Sequence, residues 1–278
     1  FLRSYTSALT SVTGQPWVVE NRGGAAGLVA IEAAQRSAPD GYTVLAASQN
    51  VPVTRRFLSK AKPLDATTEL TPISALWRST LVIASNPSFP AKTLKELIAY
   101  ARANPGKVAY TTSGIGTQGH FAGASLEQLT GVQFIHIPYN NNQQVTDVLA
   151  GTAPFTISIV PFVTQHIATG KLVGIAVAAD KRLEQLPNVP LVSDTLAKFE
   201  PPPTWTGIFG PVGFPKDAIT RLNGLVTKAI AVPDLKASAL KGGFDLIGSS
   251  GEVFTAIIRR DIDIAGRQAK AAKIEPTD

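Results

Sequence analysis

Between Tyr110 and His120 the chain reads Y-T-T-S-G-I-G-T-Q-G-H. Gly114, Gly116 and Gly119 let the backbone turn tightly, and Thr112, Ser113 and Thr117 add hydroxyls. The run Lys107–Thr112 reads as a buried strand, and His120–Leu129 as the helix that follows. Such a turn presents successive N–H groups, and the positive end of the helix dipole adds to them. The loop therefore predicts a site for an anion, a carboxylate or a phosphate. The alternative is a tight turn that only closes a βα unit.

The loop also contains G-x-G-x-x-G, the pattern of dinucleotide-binding loops. That pattern needs an acidic residue about 20 positions on, at the end of the next strand, to hold a ribose hydroxyl. The next strand here, Phe134–Pro138, runs into Tyr139-Asn140-Asn141-Asn142, with no Asp or Glu. A nucleotide is therefore disfavoured. Other catalytic signatures are missing as well. The three histidines, His120, His136 and His166, form no H-E-x-x-H, and there is no G-x-S-x-G elbow and no Walker loop. His136 alternates with apolar residues and reads as a hydrogen-bonded core histidine, and His166 as structural or surface. His120 opens the helix after the loop, where it either contacts ligand or caps and packs. The absence of cysteine removes disulfides, thiolate metal sites and cysteine nucleophiles together. No cofactor and no metal are expected. An enzyme is not the leading reading, although triads can be assembled from distant positions.

The 278 residues are ample for two α/β domains, and 44% hydrophobic with 17% charged residues fits a packed protein. No apolar run reaches the roughly 18 residues of a membrane span. The chain opens Phe1-Leu2-Arg3-Ser4 without an initiator methionine or a visible signal peptide, and reads as processed or truncated. It contains no methionine at all. The net charge of +6 comes from scattered Lys and Arg, with no basic run and no aromatic interleaving, so nucleic acid is not an expected partner.

Strands and helices alternate, which predicts parallel-type sheets flanked by helices. Trp17–Glu20 reads as a short strand. Tyr42–Ala47 is the next, with Ser48-Gln49-Asn50 at its carboxyl end, where ligands bind in open α/β sheets. Thr93-x-x-Glu96 is a capping box opening a helix that buries Leu94, Leu97, Ile98 and Ala101. Leu186–Pro203 is proline-rich and irregular. Two long extended passages, near 76–86 and 204–212, set a middle block apart from both ends. This predicts a discontinuous lobe 1 of residues 1–82 and 208–278 and an inserted lobe 2 of residues 83–207, joined by two crossing hinge strands. The hinge is expected near 83–87 and 205–210, with Trp205 either there, its indole on the floor of a cleft, or purely in the core.

An ordered set of motifs carries a family resemblance. W-V-V-E-N-R-G-G-A-A-G (17–27), A-P-D-G-Y-T-V-L (38–45), L-T-P-I-S (70–74), the 110–120 loop, I-H-I-P-Y (135–139), G-K-L-V-G-I-A-V (170–177), L-P-N-V-P (186–190) and W-T-G-I-F-G-P-V-G-F-P (205–215) resemble the Bug-type receptors. These are the substrate-binding proteins of tripartite tricarboxylate transporters. The resemblance spans almost the whole chain.

It implies a two-lobed periplasmic binding protein of type II-like α/β fold, monomeric, which closes on a small organic acid and passes it to membrane transporter subunits. It also implies a carboxylate held by backbone, hydroxyl groups and water rather than by a salt bridge. The expected ligand-binding residues are Ser48, Gln49 and Asn50 on one lobe and Thr112, Ser113, Gly114, Gly116, Thr117, His120, Tyr139, Asn140 and Ser158 on the other, with Trp205 between them. A sensory receptor presenting the same ligand to a membrane signalling protein is the alternative, and an enzyme on this scaffold is a third.

Three departures from the family stand out. The chain starts just after the family's first strand and P-G-G loop. Asn140-Asn141-Asn142-Gln143-Gln144 replaces the family's Lys-Gly or Arg-Gly pair, and the stretch to Thr146-Asp147 is one residue short, which a methionine near Val145 would restore. Ser158 stands where many members carry Asp, a residue able to hold a ligand amine or hydroxyl.

Overall fold

Apolar residues concentrate in short runs that the chain gathers into two sheets. The computed structural model describes residues 1–23, 27–61, 63–139 and 143–276. In chain order the strands are β1 (Leu45–Ser48), β2 (Thr71–Ser79), β3 (Leu81–Ser85), β4 (Val108–Thr112), β5 (Phe134–Pro138), β6 (Phe155–Ile159), β7 (Val173–Ala178), β8 (Trp205–Gly210) and β9 (Phe244–Leu246). The helices are α1 (Leu2–Thr13), α2 (Leu28–Gln35), α3 (Leu94–Ala103), α4 (Gln118–Thr130), α5 (Gln143–Ala150), α6 (Val160–Ala168), α7 (Lys216–Ala229), α8 (Pro233–Gly242) and α9 (Gly251–Ala271).

The chain divides into two compact units. Unit 1 comprises Phe1–Arg78, Thr204–Asp263 and Pro276–Asp278; unit 2 comprises Ser79–Pro203 and Ile264–Glu275. Helix α9 therefore starts in unit 1 and ends in unit 2, a third passage beside those at 78/79 and 203/204. The sequence pattern did not mark it, because one amphipathic helix reads the same whether it serves one core or two.

Unit 1 has a four-stranded sheet in the order β1-β8-β2-β9 and unit 2 a five-stranded sheet in the order β5-β4-β6-β3-β7. Helices flank both, but the expected parallel pairing holds only in part. Strand β4 runs parallel to β5 and β6, whereas β3 runs antiparallel to β6 and β7, and β8 antiparallel to β1 and β2. The reason is connectivity. Strand β2 carries the chain out of unit 1 and β8 brings it back alongside, so the two must point in opposite directions. Trp17–Glu20 is also not a strand. Trp17 instead folds back on α1, its main-chain N–H donating to Thr10 Oγ1 and its indole N–H to Thr13 Oγ1, while Val18 faces solvent.

The core of unit 2 packs Leu94, Leu97, Ile98 and Ala101 of α3 against Ile83, Tyr110 and Phe155 of the sheet. In unit 1, Tyr5 and Leu9 of α1 meet Ile73, Leu76 and Trp77 of β2 and Leu222 and Val226 of α7. The capping box is present: Glu96 N–H donates to Thr93 Oγ1, and Thr93 N–H donates back to the Glu96 carboxylate. Thr93→Ala should cost about 1 kcal/mol, read as a lower urea midpoint with an unchanged slope.

Candidate functional site

The carboxyl ends of β5, β4 and β6, three adjacent parallel strands of unit 2, are the part of the fold that gathers hydroxyls and free backbone donors. Strand β4 ends at Thr112, and the loop 113–117 turns into α4. Gly114 has φ +135° and Gly116 φ +72°, values that side chains resist. Gly119 serves a different need. A Cβ there would lie 2.6 Å from the Ile157 carbonyl oxygen of β6, so α4 can begin against the sheet only with glycine at this position. The loop holds itself by hydroxyls. Thr112 Oγ1 accepts from Gly114 N–H at 3.2 Å, and Thr117 Oγ1 donates to the Gly114 carbonyl at 2.8 Å. Thr117 is the N-cap of α4 but caps no N–H with its side chain. The main-chain N–H groups of Gly119 and His120, in the first turn, have no acceptor within the helix.

His120 decides what the loop offers. Its Nδ1 accepts the Gly116 N–H at 3.1 Å, so the proton of the neutral ring sits on Nε2. The Gly116 N–H is thus already committed. The His120 ring stacks on His136 with centroids 4.1 Å apart, and His136 stacks in turn on Tyr110 at 4.9 Å. His136 Nε2 lies 2.7 Å from Thr112 Oγ1, which ties the pair to the loop. Burial pushes the imidazole of His120 below its ordinary value. That of His136 is pushed down to about 4, by burial first and by the neighbouring His120 second. Both rings are therefore neutral near pH 7, and between Tyr110 and His120 there is no Lys or Arg. What this end of the sheet presents to an anion is uncharged main-chain N–H groups, the Thr117 and Tyr139 hydroxyl protons being already committed.

Tyr139, just past β5, donates its main-chain N–H to the Thr112 carbonyl at 3.0 Å and its hydroxyl to Asp147 of α5. Ser158 of β6 is buried and accepts from Gln144 Nε2 at 3.2 Å. Thr112, Ser113, Gly114, Gly116, Thr117, His120, Tyr139 and Ser158 therefore share one region of unit 2. Asn140 lies outside the described residues.

The remaining expected residues belong to unit 1. Ser48 ends β1 and is exposed, as is Asn50, whereas Gln49 is fully enclosed. Gln49 N–H donates to the Trp205 carbonyl at 3.1 Å, and its side-chain Nε2 to Asn50 Oδ1 at 2.8 Å. A single π-type turn, Asn50–Thr54, follows. Trp205 is buried, its indole N–H donating to Asp261 Oδ2 at 2.9 Å and its ring edge-on to Phe254 at 4.9 Å. Burial raises the Asp261 carboxyl above the usual range, partly offset by the adjacent Arg260 guanidinium.

The sequence pointed to the loop but passed over two side chains. His136 read as a hydrogen-bonded core residue, and its contact with Thr112 and its stacking on His120 reveal its tie to the loop. Gln144 was noted only as part of the run that replaces the family's basic pair, and it proves to lie on the inward face of a short amphipathic helix. Among the described residues no group of three or more His, Asp or Glu could hold a metal ion, and no helix is long and apolar enough to cross a membrane.

Two outcomes follow from this geometry. Gly119→Ala should cost roughly 1–3 kcal/mol through overpacking, whereas Gly224→Ala should gain roughly 0.5–1 kcal/mol, Gly224 lying in α7 with open space around it. Urea midpoints of the two variants check this pair. Because the fold holds His136 below its ordinary 6.5, the unfolded chain binds the proton first as pH falls. The contribution is complete above pH about 6.5 and is lost progressively toward pH about 4. His136→Gln should flatten the dependence of the urea midpoint on pH within that window.

Comparison with known proteins agrees with the architecture. The family described as the tripartite tricarboxylate transporter family receptor, TctC, matches residues 1–272. Protein BugT of Bordetella pertussis is 32% identical over 231 residues, covering 82% of this chain and 71% of BugT. A solved structure described as a periplasmic transporter is 29% identical with a TM-score of 0.84, over 99% of this chain and 92% of its own. The structure of R. palustris Rpa4515 with adipate has a TM-score of 0.86 at 25% identity, over 99% of this chain and 93% of its own. The chain belongs to the tripartite tricarboxylate transporter receptor family, a family of Bug-type solute-binding receptors and not of enzymes.

Proposed function

We propose that this receptor works in the periplasm, where it captures a small organic carboxylate and delivers it to membrane transporter subunits. The observation that carries the ligand class is the loop between β4 and α4. It sets the first-turn N–H groups of a helix at the carboxyl end of a parallel strand, with neutral histidines behind them. Such a site suits a carboxylate, since several neutral donors satisfy its lone pairs without a buried countercharge. The description of Rpa4515 with adipate supports the same class. The periplasmic assignment is supported by the description of the neighbour at 29% identity.

The purified protein should be stabilised by one or more members of a panel of small mono-, di- and tricarboxylates that includes adipate. Binding to the native state alone raises the melting temperature, by an amount that grows with ligand concentration. A panel that leaves the melting temperature unmoved at millimolar concentration, while phosphate or a nucleotide raises it, would contradict the proposal.

A further inference from the structure

On the face of the unit 2 sheet that carries α5 there is a buried polar patch that the anion loop does not use. Thr111 of β4 and Thr156 of β6 are directly paired and fully enclosed. Thr156 Oγ1 donates to the Thr111 carbonyl at 3.1 Å, and Thr111 Oγ1 donates to the main-chain carbonyl of Gln144 at 2.9 Å. Gln144 itself, in the first turn of α5, is 1% exposed and donates Nε2 to Ser158 Oγ, a residue 2% exposed. Among the described residues its Oε1 has no hydrogen-bond partner. The hydroxyl protons of Thr111 and Thr156 are already committed, so neither can reach it.

Buried polar groups are nearly always bonded, and one left unpartnered is costly, so a site that keeps such a group calls for an explanation. Here its position supplies one. Continuing the register that pairs Thr111 with Thr156 brings Ser158 level with Ser113, at the end of the sheet where the anion loop begins.

We propose that Gln144 reads the ligand: its amide oxygen accepts a hydrogen bond from a hydroxyl or ammonium group that the ligand carries beside its carboxylate. The receptor then prefers hydroxy or amino acids to the unsubstituted acid of the same length. This rests on the carboxylate reading above and narrows it. Ser158 is a positioning residue, since it holds the amide through Nε2.

Calorimetry with matched acids tests it: malate and aspartate against succinate, 2-hydroxyglutarate and glutamate against glutarate, and 2-hydroxyadipate and 2-aminoadipate against adipate. In the native protein the donor-bearing member of at least one set should bind about tenfold or more tighter than its unsubstituted partner. Gln144→Leu should reduce that ratio to within about twofold, and Gln144→Glu should shift the preference toward the ammonium-bearing member. A native protein that binds unsubstituted acids as tightly as their partners overturns the proposal and leaves the carboxylate reading standing. So does an unchanged ratio in a folded Gln144→Leu, the result expected of a resident water on Oε1. Equal weakening of both members also overturns it, showing the amide turned over and donating to the carboxylate. If Gln144→Leu does not fold, Ser158→Ala decides in its place, a lower ratio supporting the proposal and an unchanged one overturning it. Failure of every acid to bind overturns both readings.

Discussion

Helix α4 can start where it does because Gly119 has no side chain. With a Cβ at that position the helix would have to withdraw from the Ile157 carbonyl, and the loop before it would lose its place at the end of β4. The rest of the unit 2 site follows from that approach. His120, one residue on, reaches back to accept the Gly116 N–H, and its ring meets His136. His136 reaches Thr112, and Thr112 closes the circuit through Gly114. One missing methyl group thus fixes the aim of a helix end, a backbone turn and two imidazoles.

The electrostatic consequence is a loop without a formal charge. Burial keeps both stacked imidazoles neutral, and each would disfavour a proton on the other. A fixed cation would bind anions with less regard for shape, whereas neutral donors reward only a carboxylate whose oxygens meet them. Unit 1 contains a separate arrangement that holds buried charge at its boundary. Trp205 opens β8 and pairs with Arg78 at the end of the unit's first segment, and its indole is bonded to Asp261, close to where α9 leaves the unit. The three chain passages are therefore linked on the unit 1 side.

Much of this was legible in the residues. Gly114, Gly116 and Gly119 announced the turn between strand and helix, and Thr93 with Glu96 announced α3 to the residue. The ordered motifs identified the family. Strand direction was not legible, because apolar alternation is the same for parallel and antiparallel partners, and only the path of the chain between units decides it. Trp17–Glu20 had the composition of a strand but no partner edge, and Trp17 found its hydrogen bonds on α1 instead. Inside the loop, sequence could place N–H groups but not orient them. That Gly116 spends its donor on His120 depends on a ring four residues away. The unpartnered oxygen of Gln144 was likewise beyond reach, since it depends on Thr111 and Ser158, which come from two other strands.

The central claim is that the neutral end of β4 and the first turn of α4 hold the ligand's carboxylate. Amide ¹⁵N–¹H spectra recorded during titration with a carboxylate that stabilises the protein test it most directly. The account predicts large, saturable shifts at the amides of Ser113, Ile115, Gly119 and His120, with Gly116 moving less because its N–H is already bonded to His120. Saturable binding that leaves the amides from Ser113 to His120 unmoved would contradict it.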